Sequence, residues 1–263
     1  MTRESWDTRI QRAEHLAAGS VAAGELLAFY GRLLRAQKSV YEYLRGRKGW
    51  LPSGVLEEDL GVARAAAPEL LQAVQAHGPQ ELAEEARELL GASREELDGV
   101  LLEQWRAPSD IQFFAKAFLQ PYARWLADSG AHPVDRELER RENRCPFCAG
   151  KPQVSFLHTV DASAEGGGRG LVCSTCLTTW PYRRVVCANC GEERPAQLGY
   201  FQSPEYEHVR LEACDTCRHY IKGVDLTRLG LAVPVVDEVA AAALDLWARE
   251  RGYAKIELNL VGL

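Results

Sequence analysis

No stretch of the 263-residue sequence is both apolar and long enough to cross a bilayer, which takes about 20 apolar residues. No stable membrane insertion is therefore expected. The N-terminus, Met1-Thr2-Arg3-Glu4-Ser5-Trp6, has neither the apolar core of a secretory signal nor a twin-arginine pair. The expected location is the cytoplasm, where thiols stay reduced. Positive charge is also short, with 31 Lys+Arg against 37 Asp+Glu and a net charge of −6. That balance argues against general affinity for nucleic acid or anionic membrane. The six histidines are scattered. Cysteine is absent before residue 145 and after residue 217. Otherwise the composition, 46% hydrophobic and 26% charged, is that of a soluble globular chain, long enough for two domains.

All eight cysteines fall between those two positions, as four Cys-x-x-Cys pairs: Cys145/Cys148, Cys173/Cys176, Cys187/Cys190 and Cys214/Cys217. The first two pairs are separated by 24 residues, the last two by 23, and the middle gap is 10. The segment thus repeats one unit, and each unit carries the ligands of a four-cysteine metal site. Two residues between thiolates allow a tight turn that aims both sulfurs at one ion, and two such turns complete a tetrahedron. Two metal ions are expected. The matched spacing favours joining the first pair to the second and the third to the fourth. The alternative joins the second to the third and the first to the fourth. Four thiolates accept zinc or iron, and a closed set leaves no position for substrate, so no enzyme activity is expected. A disulfide framework fits the reducing compartment poorly. A thioredoxin-like redox pair needs one reactive Cys-x-x-Cys, not four in tandem.

Before the cysteines the sequence reads as helical. Leu26, Tyr30, Leu33, Leu34, Val40, Tyr41 and Leu44 mark an apolar face over 24–44. A helix over 57–76 is interrupted by Pro68, and Pro79 and Gly91 bound another. Ser93-Arg-Glu-Glu96 has the form of a capping box, and Ser109-Asp-Ile-Gln112 repeats that signal. In the helix it is expected to open, Ile111, Phe114, Ala115, Phe118, Tyr122 and Trp125 form an aromatic stripe, read as core, with a kink expected at Pro121. The mixed-charge run from Asp135 to Glu142 is read as exposed surface and as the boundary between a helical domain, 1–140, and a metal-binding domain, 141–263.

The second part reads as short strands: 152–157, the joining segment 177–186, 197–202, 208–211 and 219–224, with a loop tip at Gly166-Gly-Gly168. A helix capped by Asp237 and stopped by Gly252 follows, and 256–263 is read as extended. The expected fold class is α+β: a helical N-terminal domain, tandem rubredoxin-like or zinc-ribbon modules, and a C-terminal helix. Such small modules lean on metal for stability. His219, two residues past Cys217, is a candidate hydrogen-bond partner for the site. Trp180, Tyr182, Arg183 and Arg184, between the repeats, are candidate partner contacts, since aromatic and arginine side chains concentrate in interface hot spots. Packing around the metal turns is the competing reading. Between Cys145 and Arg228 there are 9 Lys/Arg and 9 Asp/Glu, and four-thiolate clusters are themselves anionic, a poor footprint for phosphates.

Cys145-Pro-Phe-Cys148, Cys173-Ser-Thr-Cys176 with Trp180, Arg184-Val-Val-Cys-Ala-Asn-Cys190, and Glu212-Ala-Cys-Asp-Thr-Cys217 with Tyr220-Ile-Lys222 resemble the FdhE family of formate dehydrogenase accessory proteins. The resemblance continues through Asp237, Glu238, the alanine-rich helix and Gly252-Tyr253. It implies a cytoplasmic maturation factor that contacts the catalytic subunit of formate dehydrogenase, with rubredoxin-like iron sites. A rubredoxin-type iron electron carrier is the alternative reading, and a zinc-ribbon nucleic-acid binder stands behind it.

Overall fold

The computed structural model describes residues 4–20, 23–136, 139–159 and 168–263. The fold is α+β: helices as far as Ser129, then a sheet carrying both cysteine clusters, then two short helices. The glycines expected at a loop tip, 166 and 167, lie outside the described residues, and Gly168 opens a strand.

Helix formation begins earlier than expected. Helix α1, Trp6–Gly19, starts where the Ser5 hydroxyl accepts the Thr8 N–H at 3.1 Å, and it buries Trp6, Ile10 and Ala13. Helix α2, Gly24–Gly46, buries Leu27, Tyr30, Leu33, Leu34, Val40 and Leu44. Helices α3, Leu56–Ala63, and α4, Ala67–His77, are joined by a 3-10 turn, and Pro68 lies in the first turn of α4. Helix α5, Gln80–Gly91, follows Pro79. Helix α6, Arg94–Arg106, has the full capping box: Ser93 Oγ accepts from Glu96 N and Ser93 N donates to the Glu96 carboxylate.

The second capping signal fails. Ser109 is held by Gln104, which bonds both its carbonyl and its N–H, while its hydroxyl accepts from Ile111 N. Helix α7 therefore begins later, at Phe113, and runs to Ser129 without a side-chain cap. Ile111 stays outside the helix and is 86% exposed, but Phe114, Ala115, Phe118 and Tyr122 are buried as expected of a core stripe. Pro121 does not interrupt α7. Proline has no N–H for the carbonyl four residues back, and that carbonyl, of Ala117, instead accepts from Gln37 Nε2 of α2 at 2.8 Å.

The charge run after α7 is more than surface. Asp135 accepts the Leu56 N–H at the start of α3 and the Trp105 indole N–H, and Arg136 stacks over the Trp105 ring. Both bonds tie the connection back onto the helices.

Among the described residues seven strands form one sheet. They are β1, Pro152–His158; β2, Gly168–Cys173; β3, Thr179–Tyr182; β4, Leu198–Gln202; β5, Val209–Cys214; β6, His219–Asp225; and β7, Ala254–Lys255. The order is β3-β2-β1-β6-β5-β4, with β7 also against β6. Neighbours are antiparallel except for two parallel pairs, β1 with β6 and β6 with β7. The two cysteine modules, β1–β3 and β4–β6, thus merge edge to edge into a single sheet, with Val154 opposite Lys222 at the joint.

Two expectations for the C-terminus need correction. The helix breaks at Ala241 into α8, Pro234–Ala240, and α9, Ala242–Glu250. Asp237 lies inside α8 and reaches back to the Val233 N–H at 2.7 Å. Gly252, with φ of 74°, does end α9: its N–H bonds Arg249 O and the Tyr253 N–H bonds Ala248 O, a paired closure that needs a left-handed residue. Beyond it only Ala254–Lys255 is strand, and the segment 256–263 turns back so that Asn259 Oδ1 accepts from Val261 and Leu263.

One buried apolar cluster runs through helices and sheet. Polar bonds cross the same contact: Arg12 of α1 holds both Asp237 oxygens, Tyr30 OH donates to Val235 O, Lys116 pairs with Glu257 at 2.8 Å, and Gln120 Nε2 donates to Ser174 O. Under α8 and α9, Lys222 and Lys255 face Glu238 and Asp245, all of them buried. Gln153 and Tyr220 donate to the remaining carboxylate oxygens at 2.6 and 2.7 Å.

Candidate metal centres

Each Cys-x-x-Cys pair closes the same turn. The residue after the second cysteine has positive φ in all four: Ala149, Leu177 and Arg218 at 57° and Gly191 at 79°. In each turn that residue's N–H bonds the first cysteine's carbonyl, at 2.9 to 3.2 Å. Three of these positions are not glycine, so the left-handed backbone there is held against its steric cost. Folding the turn this way frees inner N–H groups for sulfur. Thr175 N and Asn189 N lie 3.3 Å from Cys173 Sγ and Cys187 Sγ.

Sheet pairing then brings the turns together in twos. Cys145, Cys148, Cys173 and Cys176 form one cluster, and Cys187, Cys190, Cys214 and Cys217 the other. The grouping follows the matched spacing and rules out the crossed alternative. Sulfur–sulfur contacts are 3.4, 3.5 and 3.6 Å in the first cluster and 3.7 and 3.8 Å in the second. A tetrahedron of sulfurs each about 2.3 Å from zinc has edges of about 3.8 Å. A disulfide would bring two sulfurs to about 2.05 Å, and all eight cysteines are free. The donor set, its spacing and the inward N–H groups fit one four-coordinate metal ion per cluster.

The clusters differ in their surroundings. The first is enclosed, with no cysteine more than 2% exposed. Burial pushes the Cys173 and Cys176 thiols well up, so four thiolates gather there only around a compensating cation. Gly150 packs against both sulfur pairs: a Cβ there would come within 2.9 Å of Cys173 Sγ. The second cluster reaches the surface, with Cys190 exposed and Cys217 partly so. At Cys217 burial opposes ionisation, but the Asn189 side chain and the His219 N–H outweigh it and bring the thiol down to about 7. The His219 ring turns to the Cys217 carbonyl, 2.6 Å away, so it is the backbone of that residue that serves the sulfur. Asn189 is a contributor that the cysteine spacing alone does not reveal. Its place inside Cys187-Ala-Asn-Cys190 was the available signal.

The candidate contact residues separate. Trp180 is 7% exposed and donates to Glu142 O, and Tyr182, half-buried, donates to Cys187 O. Both pack around the turns, and Trp180 is not available as a surface contact. Arg183 and Arg184 are exposed. Arg183 pairs with Glu193 at 2.5 Å and lies 3.7 Å from Glu142.

The grouping makes a test. Cys173→Ser is expected to empty the cluster containing Cys145 and to leave the cluster containing Cys214 occupied, as read by elemental analysis with native mass spectrometry. Loss of both ions would mean the two clusters are not independent.

A sheet of two merged modules, each closing a four-cysteine cluster with paired turns, beneath a cap of helices, defines a double zinc-ribbon or rubredoxin-like metal-binding protein. A family model described as "FdhE, C-terminal domain" matches residues 173–261. The "Protein FdhE homolog" of Aquifex aeolicus is 38% identical over 197 residues, covering 73% of this chain and 68% of that one. Those of Shewanella oneidensis and Haemophilus influenzae are 29% and 31% identical and are spanned over 60% and 55% of their lengths. The crystal structure of the FdhE protein from Pseudomonas aeruginosa has the same fold, with a TM-score of 0.70, 24% identity, and coverage of 99% of this chain and 96% of that one. The chain belongs to the FdhE family.

Proposed function

We propose that this protein is a cytoplasmic accessory factor that binds the catalytic subunit of a formate dehydrogenase and assists its assembly or activation, with one metal ion, iron or zinc, in each four-cysteine cluster. Family membership carries the client, and the closed donor sets carry the role. A site whose four positions are all thiolate offers substrate no vacancy, so the protein works by binding and is not an enzyme. The expected metal ligands are Cys145, Cys148, Cys173 and Cys176, then Cys187, Cys190, Cys214 and Cys217. No helix among the described residues is long and apolar enough to cross a membrane, and the acidic balance speaks against nucleic acid as partner. Division into a helical unit, 1–140, and a metal-dependent unit, 141–263, is part of the same reading.

Capture of the catalytic subunit from a lysate by the tagged protein tests this directly. Deleting the gene is expected to lower formate dehydrogenase activity while its subunits are still transcribed. Unchanged activity would remove the maturation role. Arg183 and Arg184 remain the candidate contacts. Changing both to Ala is expected to weaken capture with both metals retained, since neither is a ligand. Undiminished capture would count against that patch alone.

The exposure of Cys190 favours a second reading, a rubredoxin-type electron carrier, because electron transfer needs a cluster near the surface. The absorption spectrum of protein purified without oxidation and then oxidised distinguishes them: reversible ferric–thiolate colour is expected of a carrier, and a colourless zinc protein removes that reading.

A further inference from the structure

A cleft of about 90 Å³ lies where α1 and α7 meet the sheet, lined by Arg9, Arg124, Glu4, Phe156, Val172 and the segment 177–179 that follows Cys176. Two cations stand in its wall, and both are more than nine-tenths buried: Arg9 is 4% exposed and Arg124 6%. Their compensation is unequal. Asp128 holds Arg124 with two bonds, at 3.0 and 2.5 Å. Arg9 is held more loosely: the Glu4 carboxylate oxygen is 3.9 Å from Nε, the Glu4 backbone carbonyl takes one Nη2 bond at 3.3 Å, the Trp6 ring lies 5.0 Å from the guanidinium, and Asp128 adds charge without a bond as close as those it makes to Arg124. Burial also pushes the Glu4 carboxyl up, against the pull of Arg9, which weakens it as a counter-charge. Two polar atoms of residues in that wall, Arg9 Nε and Thr178 Oγ1, are shielded from solvent and have no hydrogen-bond partner among the described residues. Buried polar atoms without partners are rare in folded proteins.

Two arginines and a threonine line one small space, and one guanidinium donor and the hydroxyl among them are left without partners; these are the residue types of a site for an anion with several oxygens. A single water needs about 10–15 Å³ of such space, so the cleft has room for a small ion but not for a nucleotide. We infer that this cleft binds a small oxyanion, a carboxylate or a phosphate, between the helices and the turn of the first cysteine cluster. The ion would complete the hydrogen bonds of Arg9 and Thr178. It would also tie α1 to the segment that begins at Leu177. This site is separate from the metal clusters and does not depend on the identity of the client.

The test uses the full metal-loaded chain. Thermal unfolding is followed as formate, acetate, phosphate and sulfate are titrated against chloride at constant ionic strength. A saturable rise in Tm with at least one of them is expected. A response to carboxylates alone assigns a planar ligand, and a response to phosphate or sulfate a tetrahedral one. Thr178→Val keeps the side-chain shape and removes the unpartnered hydroxyl, so without anion it should unfold at the same temperature or higher. Its affinity for the anion should fall by at least about tenfold, as expected for losing a hydrogen bond to a charged group. Arg9→Lys should lose affinity similarly. No saturable shift with any of the four anions, or a Thr178→Val protein that responds like the native one, would overturn the proposal.

Discussion

Removing both metal ions with a chelator is expected to unfold the sheet and spare most of the helix signal. The sheet part depends on its ions: each cluster gathers four sulfurs within 4.8 Å of one another, and once the cation leaves the thiolates take up protons or repel one another, so the bonds that joined the turns are gone. Three of the four turns also hold a non-glycine residue at a φ of 57°, a conformation the chain leaves readily when nothing fixes it. Structural four-thiolate zinc contributes on the order of 10 kcal/mol to the folding of a small module, comparable with the whole net stability of a typical domain. The helices draw on another source. Leu27, Leu33, Leu34, Leu44, Leu56, Leu70, Trp105 and Tyr122 are almost completely buried and need no metal to pack. Far-ultraviolet circular dichroism should therefore keep most of its helical amplitude, and limited proteolysis should cut freely beyond Arg144. The shared apolar cluster and the Arg12–Asp237 pair make the opposite result meaningful. Loss of all helical signal on chelation would mean that 1–140 and 141–263 fold as one cooperative unit.

Lys222→Ala is expected to be the most damaging single change away from the cysteines. The Lys222 side chain is wholly buried, bonded to the Glu238 carbonyl and the Asp245 carboxylate, and its removal strands buried negative charge. Breaking one side of a buried pair typically costs about 3–5 kcal/mol, or on the order of 10 °C in Tm for a chain of this size. Removing the charges together should cost less, since a matched apolar replacement avoids the orphan. Lys222→Met with Asp245→Asn is therefore expected to unfold at a higher temperature than Lys222→Ala. A double variant no more stable than the single one would show that packing, not charge, sets the loss.

The parts legible in advance share a local cause. The capping box at Ser93, the helix stop at Gly252 and the four cysteine turns are each complete within a few residues, so spacing alone defines them. The failures have distant causes. Ser109 has the letters of a cap, but Gln104 competes for its backbone. Pro121 keeps its helix going because Gln37, 80 residues before the carbonyl it serves, supplies the missing donor. Nothing in the neighbours of Lys222, Glu238 and Asp245 reveals that the sheet and α8–α9 close over them. For Trp180, surface contact and packing around the turns are equally open in the sequence, and its burial against Glu142 decides for packing. The clusters themselves were readable, whereas their unequal exposure arises from how the two modules sit in one sheet.

The joint between those modules has a further consequence. Module one contributes β1, its first strand, and module two contributes β6, its third. Unlike edges meet, so the relation is a translation, not a two-fold rotation, and such a joint does not close on itself. Each end of the sheet still presents the edge that the joint would need to continue: β3 at one end, β4 at the other. Growth into a filament of stacked copies is the hazard this arrangement carries. Pro181, in the four-residue strand β3, deprives that end of one backbone donor, the usual way an edge is made a poor template. The same proline that makes an irregular strand in the sequence is thus placed to keep a two-module protein at two.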